Sequence, residues 1–76
     1  MMTFGEKACG VSFNPDGNPD VHLLKVKFAD IVDELNHFRE KAHDDSNVEV
    51  VRMLSIAITE VQTAQMWAVK AVTWKA

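Results

Sequence analysis

Apolar residues in the second half of the chain recur at helical spacing on more than one side. Val51, Leu54, Ile58, Val61, Gln65, Ala68 and Val72 step by three and four, a seam for one neighbouring helix. Met53, Ala57, Ala64, Trp67 and Ala71 make a second stripe, with Trp74 seven residues beyond Trp67. Between Met53 and Val69 the only charged residue is Glu60. A helix on the outside of a small monomer pairs one apolar stripe with one charged face. One partner helix cannot cover both stripes, so this helix, expected over 46–75, belongs inside an assembly of at least two copies.

The first half carries a single seam. Asn18-Pro19-Asp20 spells a helix start: Asn as N-cap, Pro at the first helical position, and an acid where the helix dipole favours it. From there Val21, Leu24, Phe28, Ile31, Leu35, Phe38 and Ala42 follow a heptad-like 3–4 rhythm that asks for a long partner helix. Lys27, Asp30, Asp33, Glu34 and Lys41 lie on the opposite, solvated face. His43-Asp44-Asp45 breaks the pattern, and Ser46-x-x-Glu49 has the form of a capping box opening the second helix. Residues 1–17 show no sustained period and contain the turn-forming Asn14-Pro15-Asp16-Gly17, so they are expected to form an irregular strap. The predicted architecture is all-α: one domain over 1–76, with the strap at 1–17 and a long antiparallel hairpin of helices at 18–43 and 46–75, assembling into a homo-oligomer.

Size sharpens the need for partners, because 76 residues bury too little of their own surface to be comfortably stable alone. The single Cys9 offers no intrachain disulfide and no Cys-x-x-Cys motif, which fits a reducing compartment. Ser55, Thr59, Glu60, Gln62, Thr63 and Gln65 interrupt the apolar run, so no membrane span is expected. The net charge of −3 is concentrated in residues 18–45, where seven acids face four bases. Binding to duplex DNA or RNA needs a broad basic face, and the chain has none. A compact anionic ligand needs only one to three cations, which the chain can supply.

Enzyme chemistry finds little support. Glu34 and His37 have the Glu-x-x-His spacing of di-iron bundles, but the second helix adds only Glu60, so no metal site is assigned. His22, His37 and His43 all lie on or beside the acidic helix, away from any Ser or Cys nucleophile in local sequence. No catalytic residue and no cofactor are predicted. Arg52, Ser55 and Thr59 place a guanidinium and two hydroxyls on one face of the second helix, either a solvated stripe or a ring of anion-binding groups around a symmetry axis. In the strap, Phe13 is either a plain hydrophobic anchor or a stacking platform for a nucleobase. In the second case Asn14 reads the base edge, and Lys25 or Lys27 neutralises phosphate.

Phe13-Asn14-Pro15-Asp16-Gly17, Val21-x-x-Leu24-Lys25 and above all Ala64-x-Met66-Trp67-Ala68-Val69-Lys70-Ala71 resemble the small phage proteins of the anti-CBASS cyclic-oligonucleotide sponge family. That family is related through a shared helical hairpin to sponges that block Thoeris defence. The resemblance implies a non-enzymatic function: holding cyclic dinucleotides such as 3′,3′-cyclic GMP-AMP, and cyclic trinucleotides, without cleaving them, in the host bacterial cytoplasm. It implies a hexamer of interlocked hairpins, with dinucleotide pockets between protomers and separate trinucleotide sites near the axes. By position, Phe13 stands where the family often has Tyr, and Asn14, Lys25 and Lys27 would complete the dinucleotide pocket. Thr59 matches the trinucleotide site, whereas Ser55 stands one turn earlier where the family has Arg, with Arg52 a further turn back. The competing expectation is a homo-oligomeric helical-bundle module that binds another protein and no nucleotide.

Overall fold

A computed structural model describes residues 1–75. Three helices follow one another, α1 (Phe4–Ala8), α2 (Pro19–Asp44) and α3 (Val48–Val72), with no strand among the described residues. No helix among these residues is long and apolar enough to cross a membrane. Helices α2 and α3 form the hairpin, and α1 packs on α2.

The strap is therefore not wholly irregular. Thr3 accepts a hydrogen bond from the Glu6 amide while the Glu6 carboxylate accepts from the Thr3 amide, a reciprocal capping box that starts α1. Five residues are too few to be helical by propensity, so tertiary contact must hold α1 in place. Gly5 provides it. Its amide donates to Asp33 Oδ1 at 2.6 Å, and a Cβ at this position would lie 2.1 Å from the Ala29 carbonyl oxygen. Only glycine lets the two backbones approach this closely.

Asn18 caps α2, its Oδ1 accepting from the Asp20 and Val21 amides, with Pro19 at the first helical position. The hairpin turn differs from the expected capping box. Ser46 has φ 57°, and its amide donates to His43 O while that of Asn47 donates to Ala42 O. This is the Schellman closure of α2, with serine in the left-handed position usually given to glycine. A residue in that conformation cannot also be the extended N-cap of the next helix, so Asn47 takes that place and accepts from the Val50 amide at 3.3 Å.

Burial along α2 centres on Val21, Lys25, Ala29, Val32 and Ala42, rotated from the expected seam. The rotation follows from α1, which covers the Ala29–Asp33 flank, so α2 buries the strip between two neighbours. Ile31 and Phe38, on the far edge of the seam, stay about half exposed. Helix α3 buries Ile58 and Gln65, with Val51, Leu54, Val61 and Ala68 half-buried. The core draws on the strap and both long helices, with Cys9, Ala29, Val32 and Ile58 at its centre. Among the described residues six apolar side chains are buried, three of them only Ala or Cys, and full burial of a Val or Ile contributes about 1.5–3 kcal/mol. That is a thin core for the length of chain it must order.

Candidate functional site

The strap turns back across the hairpin to form a cleft of about 410 Å³ between its own backbone, α2 and α3. Lys25 is the pivot. It is 6% exposed, and its ammonium donates to Gly10 O at 3.0 Å and to Phe13 O. Two of its three donors are thus used to hold the strap, and the third remains for the cleft that Lys25 lines. The same ammonium lies 5.4 Å from the centroid of the Phe13 ring, within cation–π range. The ring itself is 72% exposed. Phe13 is therefore not a buried anchor. It presents an open aromatic surface next to a fixed positive charge.

The other sequence-predicted residues of this site are distributed unequally. Asn14 is beside Phe13, but its amide is bonded at both ends to Asn18: Nδ2 donates to the Asn18 carbonyl at 2.8 Å, and Oδ1 accepts from its amide at 3.2 Å. It closes the turn in which Gly17 takes φ 62°. Lys27 is exposed and does not line the cleft. Two residues along a helix is more than half a turn, so Lys25 and Lys27 cannot serve one pocket from one helix. Lys7, Gln62 and Gln65 do line it, and no acidic residue does. Gln62 Nε2 donates to Ala8 O at 3.1 Å, tying α3 to the end of α1. Lys7 escaped the sequence reading because nothing in the strap's spacing marked it. Gln65 did carry a signal, as the one polar residue on an otherwise apolar seam.

Arg52, Ser55 and Thr59 lie on α3 as the spacing requires, but in the single chain their groups are paired locally. Arg52 is exposed and ion-paired with Glu49 at 2.5 Å, which raises the guanidinium pKa further. Ser55 and Thr59 donate to the carbonyls one turn back, Val51 at 2.8 Å and Ser55 at 3.1 Å. The cation nearest Ser55 is one that the spacing on α3 could not reveal. Arg39 of α2 donates to Ser55 Oγ at 3.2 Å and to Asn36 Oδ1 at 2.8 Å, with its guanidinium 5.4 Å from the Phe4 ring centroid. This second cleft, about 400 Å³, is also lined by Glu40 and Asp44, which makes it a poorer anion site than the first.

The profile of the family described as Acb2/Tad1, hairpin domain, matches residues 7–73, nearly the whole chain. The chain belongs to the Acb2/Tad1 hairpin family. No curated protein and no solved structure matches it. The matched span contains the strap from Lys7, the Phe13–Lys25 cleft and both long helices, while Gly5 and the α1 capping box lie just before it. Acb2/Tad1 membership fits a sponge role for cyclic oligonucleotides, a binding function rather than an enzymatic one.

Proposed function

We propose that this protein sequesters cyclic dinucleotide second messengers without cleaving them and so blocks CBASS antiphage signalling. The observation that carries this reading is the exposed Phe13 ring beside the buried Lys25 ammonium, in a cleft with two lysines and no acid. A nucleobase stacks on the ring, and phosphate takes the free Lys25 donor and Lys7. The cleft is open, and a second copy of the chain closes over the other half of the ligand. Self-assembly, with a hexamer as the expected form, is thus part of the proposal. The setting is the cytoplasm of the infected bacterium, where such messengers are made.

Cyclic trinucleotides, including any held at Arg52, Ser55 and Thr59, are a secondary expectation. Those hydroxyl protons are engaged with backbone carbonyls and Arg52 with Glu49, so a ligand there must displace existing bonds. The exposed apolar row of α3 also favours a different reading, a protein-interaction module without a nucleotide ligand.

Titration calorimetry against a panel of cyclic dinucleotides and trinucleotides separates these readings, followed by heat release and chromatography of the bound fraction. A sponge binds tightly, gains stability with the logarithm of the ligand excess, and returns the ligand intact. Phe13→Ala removes the stacking surface, worth about 1–3 kcal/mol per base, and should weaken dinucleotide binding at least about fivefold with the fold unchanged. Absence of heat with every ligand would sink the sponge reading.

A further inference from the structure

Among the described residues two polar side chains lie in the interior, Lys25 and Gln65, each 6% exposed. The burial of Lys25 is accounted for by its bonds to Gly10 and Phe13. That of Gln65 is not. Its amide makes no hydrogen bond with any described residue, although its backbone position is on the inward row of α3 where an apolar residue would pack. No side-chain nitrogen or oxygen among the described residues is sealed away without a partner. The donor and acceptor of Gln65 therefore keep some accessible surface, and Gln65 lines the cleft together with Phe13 and Lys25. An unpaired amide at a buried helix position weakens the fold relative to an apolar side chain of the same shape. Its chemistry is useful only to something that enters the cleft.

We infer that Gln65 is the specificity-determining residue of this cleft and that it selects adenine, an inference that rests on the sponge reading above. A carboxamide presents one donor and one acceptor side by side. Adenine offers the complementary pair on both accessible edges, N6–H with N7 and N6–H with N1. Guanine presents two acceptors, N7 and O6, on the edge where adenine presents N7 and N6–H, so a carboxamide that reads this edge accepts adenine and refuses guanine. Asn14, the other amide near the stacking ring, is held at both ends by Asn18, whereas Gln65 is unengaged. With the base stacked on Phe13 and phosphate on Lys25, Gln65 supplies the edge contact that stacking and charge cannot.

The test compares the wild type, Gln65→Leu and Phe13→Ala in titrations with cyclic di-AMP and cyclic di-GMP. The wild type is expected to bind cyclic di-AMP more tightly. Gln65→Leu should weaken cyclic di-AMP by about ten- to a hundredfold, the worth of a bidentate base contact, with cyclic di-GMP changed by less than about threefold. The melting temperature of the free Gln65→Leu protein should hold or rise, which a merely structural glutamine would not allow. Gln65→Met, unbranched and similar in length, repeats the test should the leucine variant not fold. Unaltered cyclic di-AMP binding in the variant, or a wild-type preference for cyclic di-GMP, overturns the inference and leaves the sponge reading standing. Failure of the wild type to bind either ligand overturns the inference, and the sponge reading then falls only if the full panel of cyclic dinucleotides and trinucleotides also gives no heat.

Discussion

Lys25 and Lys27 differ by two positions and by almost everything that decides what a lysine can do. Lys25 is enclosed by the strap carbonyls it bonds, and Lys27 faces solvent. Lys25→Met should abolish ligand binding. It should also destabilise the free protein by about 1.5–3 kcal/mol, because two carbonyls lose a charged donor. Lys27→Met should leave both the urea midpoint and the ligand affinity within error, and a loss of binding there would move the phosphate contact to the other face of α2. Cys9 supplies a second residue-scale test. Its thiol pKa is pushed above the ordinary 9.0, first by burial and then by Asp33, against the opposing pull of Lys25. Because the folded state resists ionisation, this contribution to stability is fully present below 9.0 and is lost as pH rises through the higher folded value. Urea midpoints taken from about pH 8 to 10.5 should fall more steeply for the wild type than for Cys9→Ala. Equal slopes would mean that the thiol is not shielded.

At the level of elements, local signals were legible and tertiary ones were not. The start of α2 could be read because Asn18, Pro19 and Asp20 each act within one turn of helix. The end of the hairpin turn could not, because Ser46 and Asn47 must close one helix and open the next, and both residue types suit an N-cap. The structure divides the work, with Ser46 left-handed and Asn47 capping. Asn47→Ala should therefore cost about 1 kcal/mol, while Ser46→Gly should stabilise by about 1 kcal/mol through relief of the left-handed strain. Chemical denaturation of the two variants decides the assignment, since a capping serine would make Ser46→Gly neutral or harmful. Helix α1 was hidden for a different reason. Its five residues have no period to detect, and its place depends on Gly5 meeting Ala29 and Asp33, residues well over twenty positions away. That contact also rotates the buried face of α2, and so the seam was found but its centre was displaced. The site followed the same division. Phe13 and Lys25 could be named from the strap and helix patterns. Lys7 and Gln65 joined them only once α1 and α3 were folded against the same cleft.

The whole molecule spans 48 × 28 × 13 Å measured over its Cα atoms. The two long helices lie side by side, with the short α1 against α2, so the long helices form a single layer. Domains are stable as two packed layers with apolar faces turned together, and a lone layer leaves one broad side of each helix uncovered. On α3 that side is Met53, Ile56, Ala64, Trp67 and Ala71, exposed along the helix with Glu60 among them and continued just past its end by Trp74. Lys70 lies 5.2 Å and 5.9 Å from the two indole rings, charge at the border of an otherwise apolar surface. A second copy of the same row is self-complementary in chemistry, and the alanines let two helices approach closely. Light scattering after size exclusion should therefore give a mass that is a multiple of 8.5 kDa, and the melting temperature should climb with protein concentration. Trp67→Glu combined with Ala64→Glu places four carboxylates across each two-fold contact, and should drive the assembly apart and lower its melting temperature together. If the native protein were a monomer across the accessible concentration range, the cleft at Phe13 would have no second wall, and the apolar row would have to await a different protein. If the double variant became monomeric and lost cyclic dinucleotide binding while keeping its helicity, assembly and ligand capture would be one event: the ligand closes the gap between copies, and the copies bury the surface that each single layer leaves open.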